Sequence, residues 1–416
     1  MVEKNRSVEY SVDTALTEST PPLTKSQAIA EAHRCLNCFD APCTQVCPTH
    51  IDVPKFIGKI ATGNLRGSAI TILDSNLLGA TCARVCPVQE LCEGACVLGA
   101  DHQPIQIGRL QRYAMDSFDG RVTVQPKKHI GRVAVVGAGP AGLSCAGELA
   151  RKGIDVTLYE KNALPGGLST FGIVSLREPV KIAIEEAKII EDLGVEIRLN
   201  SQADWQLLAE EYDAVFLAIG NGIPKQLEIP DERFVIEGLD FIEKSKLFPL
   251  DIQVGSKVVV IGGGNTAVDC AMIAAKLGAE TVTVVYRRDE QSLSAYEHEL
   301  ATVRKLGVRF EFNCKPVRFL VSDEKISGLE CARDQESLMI EADQVIRAIG
   351  QDRRPVSLQT LNGFIVVDSN LRTSHSKVFA GGDCIRAKGA ASTVMAVQDG
   401  KLAAQSIHMM LETHRG

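Results

Sequence analysis

The sequence predicts a helical, cysteine-rich N-terminal domain followed by an α/β region built from two doubly wound parallel sheets. Three observations predict it. Eight of the 13 cysteines lie between Cys35 and Cys96, in a stretch with little strand signal. A short apolar run, Arg132-Val-Ala-Val-Val136, passes directly into a glycine-rich turn and a helical pattern. The same unit returns at Lys257, about 125 residues later (262 minus 137, first glycine to first glycine). Duplicated βαβ units of this kind build parallel sheets with helices on both faces.

Taken in order, residues 1–22 are polar, rich in Ser and Thr and end in Pro21-Pro22, which reads as a flexible lead-in. Thr24-x-x-Gln27 then opens a helix with a capping-box pattern. Residues 23–128 are expected to be short helices punctuated by cysteine loops. From residue 129 the texture is strand, glycine turn and helix. The expected division is 129–225 for the first part of one nucleotide-binding domain, 226–350 for a second, inserted one, and 351–416 for the return to the first.

Composition narrows the class. A chain of 416 residues with 45% hydrophobic content and a net charge of −7 can bury sizeable cores without staples. Its basic residues are scattered and its balance is mildly acidic, which argues against a nucleic-acid partner. No stretch has the apolar length to span a bilayer as a helix. The first twenty residues lack the apolar run of an export signal, so the expected setting is the reducing cytoplasm.

In that setting a cysteine cluster points to metal rather than disulfides. The first run is Cys35-x2-Cys38-x4-Cys43-x3-Cys47-Pro48, and the second is Cys82-x3-Cys86-Pro87-x4-Cys92-x3-Cys96. Structural zinc usually takes paired Cys-x2-Cys knuckles, and only Cys35 and Cys38 fit that form. Short spacers that let several thiolates reach one inorganic core, with proline turning the chain away, suit [4Fe–4S] clusters. Cysteine count alone gives two four-cysteine sites, with Cys82 among the ligands.

The glycine loops carry the second signal. Gly137, Gly139 and Gly142, with Pro140 and Ala141, lie between a strand and a helix, and the next strand ends in Glu160. In such a fingerprint the first glycine makes a tight turn, the second admits a pyrophosphate and the third permits close helix packing; the acid accepts from a ribose. The helix N-terminus faces the phosphates with free N–H groups. The second loop is Gly262-Gly-Gly264-Asn265-Thr266-Ala267, and its following strand ends at Arg287-Arg288 instead of an acid. Two arginines suit a 2′-phosphate, which favours NADP(H) over NAD(H). Their bland reading is surface charge offset by Asp289 and Glu290. Near the C-terminus, Val378-Phe-Ala-Gly-Gly382-Asp383 reads as a strand ending at an acid, followed by a helix that starts near Ser392 and Thr393. Asp383 is placed to accept from a ribityl hydroxyl, and the helix N-terminus to stabilise negative charge on a flavin ring. Together with the first loop this describes a split FAD domain.

Across residues 24–411 these motifs resemble a known family. The two cysteine runs, followed by Pro104-Ile-x-Ile-Gly108-x-Leu-Gln111, are similar to the N-terminal cluster domain of dihydropyrimidine dehydrogenase and glutamate synthase small subunits. Both glycine loops, Pro165-Gly166-Gly167 and Gly381-Gly-Asp383 match that family's FAD and NAD(P)H domains. Length and Cys82-Ala-Arg-Val-Cys86-Pro87 look closest to the bacterial NAD(P)H-oxidising subunit of dihydropyrimidine dehydrogenase. The resemblance implies interleaved ligation: Cys35, Cys38, Cys43 and Cys96 for one cluster; Cys47, Cys86, Cys92 and Gln111 for the other. Cys82 then becomes a spectator. One departure is local. Where the family has Gly-Ile-Pro and a downstream Arg-Leu-Pro, this chain has Gly172-Ile-Val174 and Leu176-Arg-Glu-Pro179.

The implied activity is electron input. NAD(P)H gives a hydride to FAD, two clusters carry the electrons singly, and a second, FMN-containing catalytic subunit receives them in a hetero-oligomer. No acid–base residue is nominated. The alternatives are a glutamate synthase partner, a ferredoxin-linked transhydrogenase, a disulfide reductase and a non-catalytic scaffold. A disulfide reductase needs a close dithiol near the flavin, but Cys145 and Cys270 each stand alone on a helix after a glycine loop.

Overall fold

The computed structural model describes residues 16–119, 122, 126, 130–334, 336–386 and 392–413. The chain forms two compact units. One comprises Pro21–Ile173, Glu178–Ile223 and the chain from Gln351 onward; the other comprises Pro224–Gly350, Val174–Arg177 and the segment ending at Thr20. Of the lead-in expected to be flexible, residues 1–15 lie outside the described residues. From Leu16 the chain is engaged: Leu16 is buried beside Val174 and Leu176, and the Ser19 N–H donates to Leu176 O at 2.8 Å. A buried leucine outweighs the polar composition around it.

In the larger unit the N-terminal part is helical. Helices span Lys25–His33, Val53–Ala61, Leu65–Leu73, Gly79–Val85 and Ile107–Asp116. The capping box forms: Thr24 Oγ1 accepts from Gln27 N at 3.3 Å, and Gln27 Oε1 accepts from Thr24 N at 2.9 Å. Asp52 and Asn64 cap the helices Val53–Ala61 and Leu65–Leu73 with single side-chain bonds, accepting from Lys55 N and Gly67 N. Helices this short are marginal alone. Their apolar faces close on a core of Phe56, Ile57, Ile60, Ile72 and Leu110, and Cys35, Cys43, Cys47, Cys92 and Cys96 pack against its edge. Removing the Phe56 ring from such a site costs about 3–5 kcal/mol.

The same unit holds a five-stranded parallel sheet. Its order is Val378–Ala380, Ala214–Leu217, Arg132–Val136, Asp155–Tyr159, Glu196–Arg198. The helices Pro140–Arg151 and Thr393–Thr413 pack together beside it, with Ser144 Oγ donating to Val397 O at 2.8 Å. The chain therefore leaves this sheet before residue 224 and returns to it after residue 350.

The smaller unit has its own five-stranded parallel sheet, ordered Ile236–Glu237, Gln344–Arg347, Lys257–Ile261, Thr281–Val285, Arg309–Glu311. It also has a three-stranded antiparallel sheet of Lys315–Ser322, Lys325–Arg333 and Glu336–Glu341, which parallel βαβ reasoning does not anticipate. Its first turn, Asp323-Glu324, takes φ of 51° and 57° at both residues. That is the backbone of a tight hairpin, but without the glycine that usually announces one.

Candidate cofactor and cluster sites

The first glycine loop is built by close approach. Gly137 has φ of +102°, and a Cβ there would lie 2.4 Å from Ala218 O. At Gly142 a Cβ would meet Gly137 O at 1.9 Å, so the helix starts directly against the turn. Gly139 differs: the nearest atom to its Cβ position is Gly167 Cα, 3.9 Å away, which leaves room for a ligand. The Gly166 N–H donates to Ala138 O at 2.8 Å and draws Pro165-Gly166-Gly167 onto the loop. Gly382 comes from the far end of the sequence, and its Cβ position is 3.1 Å from Ala141 Cβ. Gly137, Gly139, Pro140, Ala141, Gly142, Gly166, Gly167 and Gly382 thus meet at the carboxyl end of the parallel sheet, where this fold binds ligands.

Glu160 is only 5% exposed and has more work than the sequence suggests. Its Oε2 accepts from Ala138 N at 2.8 Å and its Oε1 from Asn162 N at 2.9 Å. It braces the glycine loop, and each oxygen keeps a further lone pair for a ribose hydroxyl. Asp383 follows Gly382, and burial pushes its carboxyl above the ordinary range, opposed by Arg386. Asp399, from the C-terminal helix, fixes this corner: it accepts from Gly382 N at 2.9 Å and pairs with Arg386. Ser392 and Thr393 stand at the start of that helix, where Ser392 Oγ accepts from Met395 N at 3.4 Å.

The second loop repeats the geometry. Gly262 has φ of +148° with its Cβ position 2.2 Å from Ala348 O, and Gly264 precedes a helix running Asn265–Lys276. Asn265 Oδ1 accepts from Tyr296 N at 3.0 Å, while Thr266 lies in the first helical turn. Arg287 and Arg288 are exposed just past the strand end. Their suspected counter-charges are engaged elsewhere: Asp289 accepts from Ser292 N at 2.9 Å, and Glu290 pairs with Arg304. Arg177, undistinguished in sequence, is half-buried against the same helix and pairs with two buried acids, Asp269 at 2.7 Å and Glu299 at 2.8 Å. Burial lifts the Glu299 carboxyl to about 7 despite that arginine.

The cysteines line two pockets. Cys35, Cys38, Cys43 and Cys96 face one, among Val53, Ile57 and Ile105. Cys47, Cys82, Cys86, Cys92 and Gln111 face the other, with Val394 in its wall. Among the described residues no three His, Cys, Asp or Glu side chains are gathered as around a single metal ion. Gln111 is 8% exposed, and its Nε2 donates to Gly79 O at 2.8 Å, so Oε1 is the amide atom that would meet a metal. Cys82 is 2% exposed on the helix Gly79–Val85. A hydrogen bond with Cys82, then burial, pushes the Cys86 thiol well up. Burial lifts Cys43 to about 11 and raises Cys35 and Cys92 too. Raised thiols hold their protons more tightly, and a metal that binds them must displace those protons.

The donor set fits iron–sulfur clusters. Sulfur atoms line small apolar pockets, and nearby donors reach them: Ile105 N lies 3.5 Å from Cys96 Sγ, and Thr49 Oγ1 lies 3.5 Å from Cys47 Sγ. Such bonds offset negative charge on cluster sulfur. The helix Gly79–Val85 is held at its start by Glu186, which accepts from Ala80 N at 2.6 Å and Thr81 N at 3.2 Å, and by Glu178, which accepts from Thr81 Oγ1 at 2.5 Å. Burial raises Glu186 to about 8. Neither acid carried any signal in sequence.

Comparison with known proteins finds relatives for both the cysteine-rich part and the nucleotide-binding part. Residues 131–400 match the family described as pyridine nucleotide-disulphide oxidoreductase, and residues 13–122 match dihydropyrimidine dehydrogenase domain II, 4Fe–4S cluster. The NAD-dependent dihydropyrimidine dehydrogenase subunit PreT of Escherichia coli is 38% identical over 95% of this chain and 97% of its own. The NADPH glutamate synthase small chain of the same organism is 32% identical over 98% of this chain and 95% of its own. Thioredoxin reductase of Lactococcus lactis shares the fold, with a TM-score of 0.57 at 23% identity over 68% of this chain and 99% of that one.

The protein is an NAD(P)H-dependent flavoprotein oxidoreductase with FAD and a 4Fe–4S domain at its N-terminal end. The chain belongs to the pyridine nucleotide-disulphide oxidoreductase family, together with the dihydropyrimidine dehydrogenase PreT subunits and glutamate synthase small chains. Among the described residues no helix is long and apolar enough to cross a membrane.

Proposed function

We propose that this chain is the electron-input subunit of a two-component dihydropyrimidine dehydrogenase, with two [4Fe–4S] clusters that lead from FAD to an FMN-containing partner. The observation that carries the reading is the second cysteine pocket. Val394 in its wall lies one residue after Thr393, on the helix whose start is proposed to face the flavin ring. When bound, FAD accepts two electrons as a hydride and releases them singly, and iron–sulfur clusters carry them one at a time.

This chain's residues supply position and electrostatics. The first loop and Glu160 would hold the FAD pyrophosphate and ribose, Asp383 the ribityl chain, and the N–H groups at the start of Thr393–Thr413 would favour negative charge on the ring. Cys47, Cys86, Cys92 and Gln111 would hold the cluster nearer the flavin; Cys35, Cys38, Cys43 and Cys96 would hold the other. The domain scheme is an FAD domain over 129–225 and 351–416 with an NAD(P)H domain over 226–350 between its parts. A dihydropyrimidine dehydrogenase partner is favoured over a glutamate synthase one by 38% against 32% identity at similar coverage. The decisive experiment is isolation of the native protein under anaerobic conditions. It should bring down a second subunit that contains FMN and reduces uracil or thymine with NAD(P)H; a partner that makes glutamate would contradict the assignment.

The second loop is proposed to take NADPH. Arg287 and Arg288 are exposed, and their neighbouring acids are engaged elsewhere, which supports a 2′-phosphate site. PreT of Escherichia coli carries the description NAD-dependent, which makes the test sharp. Replacing both arginines with alanine should raise the KM for NADPH about tenfold or more, the worth of a charge-assisted hydrogen bond, and leave that for NADH nearly unchanged. Equal effects on both nucleotides would remove the argument.

A further inference from the structure

Lys401 lies seven residues after Val394 on the C-terminal helix, two turns further along the same face. Its ammonium reaches into the helical cysteine domain. Nζ donates to Thr49 O at 3.1 Å and to Ser75 O at 3.0 Å, carbonyls some 350 and 330 residues away in sequence. Thr49 is fully buried, and its hydroxyl is 3.5 Å from Cys47 Sγ. Cys47 in turn lines the second pocket, as Val394 does. A neighbouring cation does a parallel job: Arg151, on the helix Pro140–Arg151, donates to Leu73 O at 2.9 Å and pairs with Glu148 at 3.4 Å. Burial, the largest influence, lowers the Lys401 pKa and Arg151 adds to that, while Glu148 and Cys47 favour the ammonium form that the two carbonyls hold.

We propose that Lys401 is a positioning residue for electron transfer. It ties the helix that begins at the flavin site to the Cys47 loop, and it holds a positive charge beside the second pocket that raises the reduction potential of the cluster bound there. The physical reason is differential. Each electron added to a cluster makes the site more negative, so a fixed cation in a poorly screened environment stabilises the reduced form more than the oxidised one. The flavin-side centre is thereby made the better electron acceptor. This rests on the reading of the second pocket as a cluster site.

The test is a redox titration of the anaerobically purified holoprotein, followed by the electron paramagnetic resonance of each reduced centre, in wild type, Lys401→Gln and Lys401→Arg. Glutamine keeps a donor near the two carbonyls and loses the charge; arginine keeps the charge. Flavin absorbance and iron content serve as folding controls. Lys401→Gln should lower the potential of one centre by a tenfold change in its one-electron equilibrium, about 59 mV, and leave the other in place. Lys401→Arg should stay close to wild type. Unchanged potentials in Lys401→Gln at full iron content would overturn the proposal, as would an equal fall in both variants. A wild type with a single titrating centre and half the iron would instead overturn the two-pocket reading itself.

Discussion

A Gly142→Val variant is expected to purify without flavin, at less than about a tenth of the wild-type FAD content, and to melt at a lower temperature. The cause is steric. A β-carbon at Gly142 would sit 1.9 Å from the carbonyl oxygen of Gly137, a backbone atom that cannot swing aside. Relief requires the helix Pro140–Arg151 to move off the strand Arg132–Val136, which opens the loop and strips Val135, Leu143 and Ala146 of their packing. Overpacking of this kind costs about 3 kcal/mol or more. Gly139→Ala separates the two functions of the motif. Its methyl group finds no atom closer than 3.9 Å, so the fold should survive while FAD affinity falls, because that space is kept for the ligand. Flavin absorbance with a circular-dichroism melt distinguishes the cases; a Gly142→Val protein with full flavin would contradict the loop's assignment.

The second large effect concerns the cysteine pockets. Cys86→Ser and Gln111→Ala should each lose roughly half the iron, the content of one of two cubanes, with flavin retained. Cys82→Ser should keep all of it. Both Cys82 and Gln111 line the second pocket, so position alone does not rank them. Two features favour Gln111. Its amide nitrogen is committed to Gly79 O, which orients the oxygen. Cys82 is drawn into the core beside Leu77 and Leu78. Loss of one centre in Cys82→Ser, with both kept in Gln111→Ala, would reverse the assignment.

Much of this was legible in sequence because local chemistry dictated it. The two glycine turns demand positive φ or close backbone approach, and those demands leave a fixed spacing between a strand and a helix. Thr24 and Gln27 announced a cap that forms. The solitary Cys145 and Cys270 are fully buried in helices, as core thiols are. The interleaving of the cysteines was different. Spacing alone pointed to two all-cysteine sites; only the resemblance brought in Gln111, and Cys96 faces the first run because the chain folds back to it.

What stayed hidden was contact between distant residues. The antiparallel sheet over 315–341 turns at Asp323-Glu324, where two acids adopt a conformation usually announced by Asn or Gly. Glu160 was expected only as a ribose acceptor, yet two backbone N–H groups already occupy it. Glu186 and Lys401 reach backbone groups more than a hundred residues away, and no periodicity records such pairings. Arg177 lies in the segment that departs from the family pattern, and it supplies the counter-charge for two buried acids, Asp269 and Glu299.

One chain is proposed to hold both the flavin and two iron–sulfur centres. Metal, acid-labile sulfide and flavin analysis of the anaerobically purified wild type measures all three. The expected complement is roughly eight iron and eight sulfide per chain alongside one FAD. Roughly four iron or fewer, or zinc in their place, would contradict it.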